Sequence, residues 1–175
     1  MDFNSIIPLP AKITLARGNP FRISSLTVKT NSFALPALEN EISALMECAA
    51  CGNGDAAELS LIRDSSLFKG RIEERLREEA YRLSVRKGRI EICSVTAKGA
   101  FYALKTIRQA LQCGKNHLVP ATIEDWPALA MRGMHLTMGE GHMPNFERML
   151  EIVSALADHK INTLVLEYDD RFPWR

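Results

Sequence analysis

No stretch of the chain approaches the roughly 20 consecutive apolar residues that a membrane-spanning helix requires. A helical membrane protein is therefore excluded as a reading of these residues. Met1 is followed by Asp2, Phe3, Asn4 and Ser5, which offer no basic n-region and no apolar run. No secretory leader is visible, and cytoplasmic is the default expectation. Charge of one sign is also missing. The 22 basic and 21 acidic residues leave a net charge of +1. That balance gives no electrostatic reason to expect nucleic acid or an anionic membrane as a partner. Cysteines number only four, too few at this length for a disulfide framework. Cys48 and Cys51 form a C-x-x-C near the end of a predicted helix. There the helix dipole disfavours a thiolate, and no second close pair completes a zinc site. Buried structural cysteines are the expectation. Repeats and low-complexity tracts are absent as well.

What remains is the composition of an ordinary globular chain, 46% hydrophobic and 25% charged. Alternation predicts strands at Lys12–Arg17 and Leu26–Thr30 around a Gly18-Asn19-Pro20 turn, and at Glu58–Arg63. Tyr81–Val85 and Arg89–Cys93 flank Lys87-Gly88 as a hairpin. A further strand is expected over Leu118–Glu124. Leu38, Ile42, Leu45 and Met46 are spaced as one face of a helix that Gly52 stops. Thr96 is the expected N-cap of a longer helix to Gln112, with Phe101, Leu104, Ile107 and Leu111 as its stripe. The run Arg71–Glu79 (R-I-E-E-R-L-R-E-E) reads as a solvated helical turn. Residues 1–125 are thus expected to form an α+β domain, a mixed sheet with two helices on one face.

After Pro127 the texture changes. Met131–Met138 reads as a strand, Asn145–Lys160 as a helix and Asn162–Tyr168 as a buried parallel strand. The helix should turn Phe146, Met149, Leu150, Val153 and Leu156 to one face. This is one right-handed β-α-β unit over residues 126–175. Two strands do not make a stable domain, so self-association through bare strands is expected if nothing else covers them. Gly139-x-Gly141 between strand and helix, with Glu167 beyond, fits half of a dinucleotide fingerprint. Pro144 stands where the third small residue belongs. His135, His142 and Glu140 are a conceivable metal set without supporting spacing. No metal and no cofactor is expected.

Several segments in order resemble glycoside hydrolase family 20, the β-N-acetylhexosaminidases. They are E-A-Y-R-L-S-V from Glu79, G-A-F-Y-A-L-K-T-I-R-Q from Gly99 and V-P-A-T-I-E-D-W-P from Val119. M-R-G at Met131 and H-K-I-N-T-L at His159 follow. The ending L-V-L-E-Y-D-D-R-F-P-W is more similar to the hexosaminidase D branch. The resemblance implies an α/β architecture, in which an α+β domain precedes a (β/α)8 catalytic barrel. It implies substrate-assisted hydrolysis of terminal N-acetylhexosamine residues on glycans, the sugar's 2-acetamido group attacking its own anomeric carbon. An adjacent Asp-Glu pair on the fourth barrel strand would orient that group and protonate the leaving oxygen. No Asp-Glu dipeptide occurs in these residues. The chain is therefore expected to be the N-terminal part of such an enzyme and inactive alone. A free-standing carbohydrate-binding or interaction module is the alternative. By resemblance Arg132 would contact sugar hydroxyls. Thr137, Glu140 and Gly141 depart from the family pattern at the first barrel strand. Glu167, Asp169 and Asp170 follow at the carboxyl end of the second strand, where barrel sites assemble.

Overall fold

The computed structural model describes residues 3–30, 33, 38–50, 53–114, 116–139 and 144–168. It divides into two compact units, Met1–Ala128 and Leu129–Arg175. The first unit runs β1 (Lys12–Leu15), β2 (Phe21–Thr30), α1 (Glu39–Ala50), β3 (Asp55–Arg63) and α2 (Glu74–Arg77). It continues with β4 (Tyr81–Arg86), β5 (Arg89–Ser94), α3 (Ala97–Cys113), β6 (His117–Leu118) and β7 (Ala121–Asp125).

The seven strands form one mixed sheet in the order β1-β7-β4-β5-β3-β2-β6. β3 is parallel to both β2 and β5, and the other pairings are antiparallel. Alternation decides which side chains reach the core. Tyr81, Leu83 and Val85 of β4 are buried, as are Ile90 and Ile92 of β5. α3 lays Ala100, Ala103, Leu104, Ile107 and Leu111 onto that core. Thr96 caps α3, its hydroxyl accepting from the Lys98 amide at 3.1 Å. A buried ion pair of 2.6 Å between Lys105 and Glu41 ties α3 to α1.

The structure corrects several sequence expectations. Leu118–Glu124 is not one strand. Pro120 has no amide to give to a ladder, so β6 ends at Leu118 and pairs with β2, while β7 begins at Ala121 and pairs with β4. Met46 is 42% exposed, and Ala49 takes its place beneath α1. In the charged run only Glu74–Arg77 is helical, and Arg77 is buried rather than solvated. Cys48, Cys93 and Cys113 form no disulfide and are only half-buried, while Cys51 lies outside the described residues. Partial burial, then the Asp64 carboxylate, holds the Cys93 thiol above its ordinary value, so Cys93 is a thiol at neutral pH.

The second unit contains β8 (Gly133–Met138), α4 (Phe146–Asp158) and β9 (Thr163–Tyr168). Asn145 caps α4 by accepting from the Arg148 amide at 2.8 Å. β8 and β9 pair in parallel, Thr137 opposite Glu167. Met134, Leu136 and Met138 share one face with Leu164, Leu166 and Tyr168. Gly133, His135, Thr137, Thr163, Val165 and Glu167 share the other. The half-buried side of α4 is Met149, Ile152 and Leu156. Phe146, Leu150 and Val153, grouped with these by sequence, are exposed. β9 is not buried on both sides either, Val165 being 50% exposed. Among the described residues no helix is long and apolar enough to cross a membrane.

Candidate functional site

The I-E-D-W-P segment at Ile123 ends the first unit's sheet, and Ile123, Glu124, Asp125 and Trp126 each have a physical task. Ile123 is fully buried. Glu124 is almost fully buried and faces three cations, Arg82 at 2.9 Å, Lys12 at 3.5 Å and Arg71 at 3.6 Å. Asp125 accepts from the buried Tyr81 hydroxyl at 2.9 Å and from the Ala11 amide at 3.0 Å. Tyr81 also shares a 2.6 Å hydrogen bond with Thr106. Burial, then the Asp125 charge, keeps the Tyr81 phenol protonated well above its usual range. Trp126 packs on Phe68 with ring centres 5.3 Å apart. Arg71 and Arg82 lie over the Phe68 ring at 5.1 and 5.5 Å. These contacts lock the end of β7 and assemble no reactive constellation.

Glu124 makes this lock sensitive to acid. Burial raises its carboxyl, but the Arg82 hydrogen bond and the charges of Arg82, Arg71 and Lys12 outweigh burial and hold it below the usual value. A carboxylate depressed by folding stabilises the fold above its unfolded pKa, about 4.3. That contribution is lost as pH falls through the lower, folded value. Urea titrations from about pH 7 to about pH 3 should show stability falling with acid in the native chain. Glu124→Gln should be less stable at neutral pH and should lose less on acidification. An unchanged acid slope in the variant would contradict this assignment.

The second unit carries the polar group that the sequence placed near sugar. Glu167 projects from the carboxyl half of β9, on the face shared with His135 and Thr137. His135 Nε2 lies 2.9 Å from Glu167 Oε2, and Thr137 Oγ1 donates to the same oxygen at 3.2 Å. His135 and Glu167 are about half-exposed. An acceptor carboxylate beside an imidazole and a hydroxyl suits hydroxyl-rich ligands. The sequence offers His135 only as a conceivable metal ligand. Its two-residue spacing from Thr137 was the available sign that both share a face with Glu167.

Arg132 lies elsewhere. It precedes β8, at the amino end of the strand. Its Nε donates to the Lys160 carbonyl at 2.8 Å and its Nη1 to the Leu129 carbonyl at 2.7 Å. The Asn162 side chain accepts from the Arg132 amide at 2.9 Å and donates to the Ala130 carbonyl at 2.7 Å. The guanidinium therefore ties the segment before β8 to the turn after α4, at the opposite strand end from Glu167. In barrels that amino face serves stability and the carboxyl face serves chemistry. Arg132 thus holds two backbone segments together at the amino end of β8. Glu140, Gly141, His142, Asp169 and Asp170 lie outside the described residues. Among the described residues no cluster of three or more His, Cys, Asp or Glu could hold a metal ion.

Comparison with known proteins supplies a frame for these features. The model of glycosyl hydrolase family 20, domain 2, matches residues 4–126. A β-N-acetylhexosaminidase from Cellulomonas fimi is 29% identical over 178 residues, covering 98% of this chain and 36% of that protein. A β-hexosaminidase from Vibrio vulnificus is 25% identical, over 97% of this chain and 19% of its own length. Among solved structures, a family 20 β-N-acetylglucosaminidase superposes with a TM-score of 0.70 at 27% identity, covering 97% of this chain and 32% of that one. The Streptomyces plicatus N-acetyl-β-hexosaminidase superposes at 0.73 and 23% identity, over 100% of this chain and 36% of that one. The chain spans about a third or less of the length of these relatives.

Proposed function

The chain belongs to glycoside hydrolase family 20, and from that premise we propose that it is the opening segment of a β-N-acetylhexosaminidase. In this reading β8-α4-β9 supplies the first two strands of the catalytic barrel. The observation that carries it is the parallel β8-β9 pair with Glu167, His135 and Thr137 together on one face. Parallel strands joined by a helix are the repeating unit of the barrel, and Glu167 sits at the strand end where barrel sites assemble. The exposed Phe146, Leu150 and Val153 on α4, and the exposed Val165 on β9, are apolar surface of the kind that neighbouring barrel elements cover.

The part proposed for these residues is sugar binding, with Glu167 accepting hydrogen bonds from sugar hydroxyls and His135 and Thr137 fixing its carboxylate. The hydrolytic step needs an Asp-Glu pair that these 175 residues do not contain. A chimera tests the reading: this chain followed by the Cellulomonas fimi relative from the position aligned with Arg175. It should release the chromophore from an aryl N-acetyl-β-glucosaminide. Glu167→Gln in that chimera should raise KM about tenfold, the cost of one charge-assisted hydrogen bond. A chimera that unfolds cooperatively yet shows no turnover would count against the proposal.

A further inference from the structure

A basic cavity of about 490 Å³ opens at one end of the first unit's sheet. It is built where the ends of β1, β2, β3, β4, β5 and β7 converge. Arg17, Arg22, Arg86 and Lys87 line it against a single acid, Asp55. The chain as a whole is nearly neutral at +1, so positive charge is concentrated at this place. Asp125 lies at the far end of β7, about 14 Å away by strand rise. The cavity is therefore separate from the Glu124–Trp126 cluster, and every residue that lines it belongs to the first unit.

Three of its four cations are held in place by hydrogen bonds or an ion pair, those of Arg22, Arg86 and Lys87. Arg22 Nε donates to His117 Nε2 at 2.9 Å. The Arg22 backbone is fixed by close approach of Gly54, where a Cβ would come within 2.5 Å of the Arg22 carbonyl. Arg86 Nη1 donates to the Val85 and Ala121 carbonyls at 2.8 and 3.1 Å. Asp55 is engaged by Lys87 at 2.9 Å, and among the described residues no carboxylate forms an ion pair with Arg17, Arg22 or Arg86. Arg17 is exposed and has no hydrogen bond or ion pair among the described residues. Guanidinium forks match sulfate, phosphate and carboxylate oxygens in pairs. The volume exceeds that of an inorganic anion and falls within the usual range for small-molecule sites. Pro20 and Pro120 add apolar walls, against which the C–H face of a sugar ring can lie.

From this we infer that the domain carries a second ligand site, a pocket for an anionic sugar whose sulfate, phosphate or carboxylate is clasped by Arg17 and Arg22. The inference does not depend on the barrel reading, because every residue it uses belongs to the first unit. Amide shifts of the 175-residue chain should be followed by NMR during titration with four probes. These are N-acetylglucosamine 6-sulfate, N-acetylglucosamine 6-phosphate, neutral N-acetylglucosamine and inorganic sulfate. The two anionic sugars should give saturable shifts at residues 17–22, 54–55 and 86–87, and the neutral sugar none there. Arg17→Gln with Arg22→Gln should weaken binding about tenfold or more while the core spectrum is retained. Equal shifts from inorganic sulfate at the same concentration would overturn the sugar assignment. Shifts absent up to about 10 mM, or undiminished in the double variant, would overturn the site itself.

Discussion

Gly99→Ala should destabilise the first unit by about 3 kcal/mol, at the upper end of the cost of overpacking a core. Helix propensity alone predicts the opposite. Gly99 lies in the first turn of α3, and exchanging a helical glycine for alanine gains up to about 1 kcal/mol. Here the helix presses directly on the sheet. A Cβ at Gly99 would stand 2.4 Å from the Ala80 carbonyl oxygen and 3.0 Å from the Ser94 side chain. The nearest obstacle is backbone at the start of β4, so it cannot rotate aside. α3 would have to lift from β4 and β5, opening the contacts that bury Ala100, Ala103 and Leu104. Thermal unfolding should report a fall of about 10 °C in Tm. A rise in Tm would show that propensity wins and that the close approach is not real.

Arg77→Ala should cost a similar amount, about 3 kcal/mol, and should also loosen one particular loop. The Arg77 side chain is 4% exposed although its partner Glu74 is 80% exposed. Its Nε donates to the Leu67 carbonyl at 3.1 Å, and its Nη2 donates to the Ser65 carbonyl. Both acceptors lie in the loop between β3 and α2, where Phe68 takes a positive φ of 57°. Such a φ is uncommon for a bulky residue and persists only when surroundings impose it. Phe68 in turn supports Trp126. Removing the fork leaves two carbonyls without their donor and a void beneath them. Hydrogen exchange at residues 65–72 should accelerate more than at β4 or β5, beyond the drop in global stability. Arg77→Lys should recover little, since an ammonium cannot reach both carbonyls in the fork's geometry. Uniform acceleration across the unit would contradict the local role.

These two positions also mark what the sequence could and could not convey. Strand alternation at Tyr81–Val85 and Arg89–Cys93 is a local signal, and the hairpin formed as read. The stripe of α3 and its Thr96 cap are equally local. Arg77 sits in a run of nine residues dominated by charge, and periodicity cannot say which one turns inward. That is decided by carbonyls ten and twelve residues away. The parallel pairing of β3 with both β2 and β5 is likewise non-local, because it depends on crossovers. In the second unit the motif M-R-G drew attention to Arg132 through resemblance. The strand boundary at Gly133 then put it on the amino end of β8. The grouping of Glu167 with His135 and Thr137 depended on a parallel register that the sequence does not state. The basic cavity is the extreme case, its lining drawn from four stretches spread between Arg17 and Pro120.

We propose that these residues bind and frame an N-acetylhexosamine and leave its cleavage to residues outside them. The most direct measurement is aryl N-acetyl-β-glucosaminide hydrolysis by the purified 175-residue chain. Release of aryl alcohol should be indistinguishable from buffer at any concentration of the chain. Turnover that rises in proportion to the chain, and survives repurification, would contradict it.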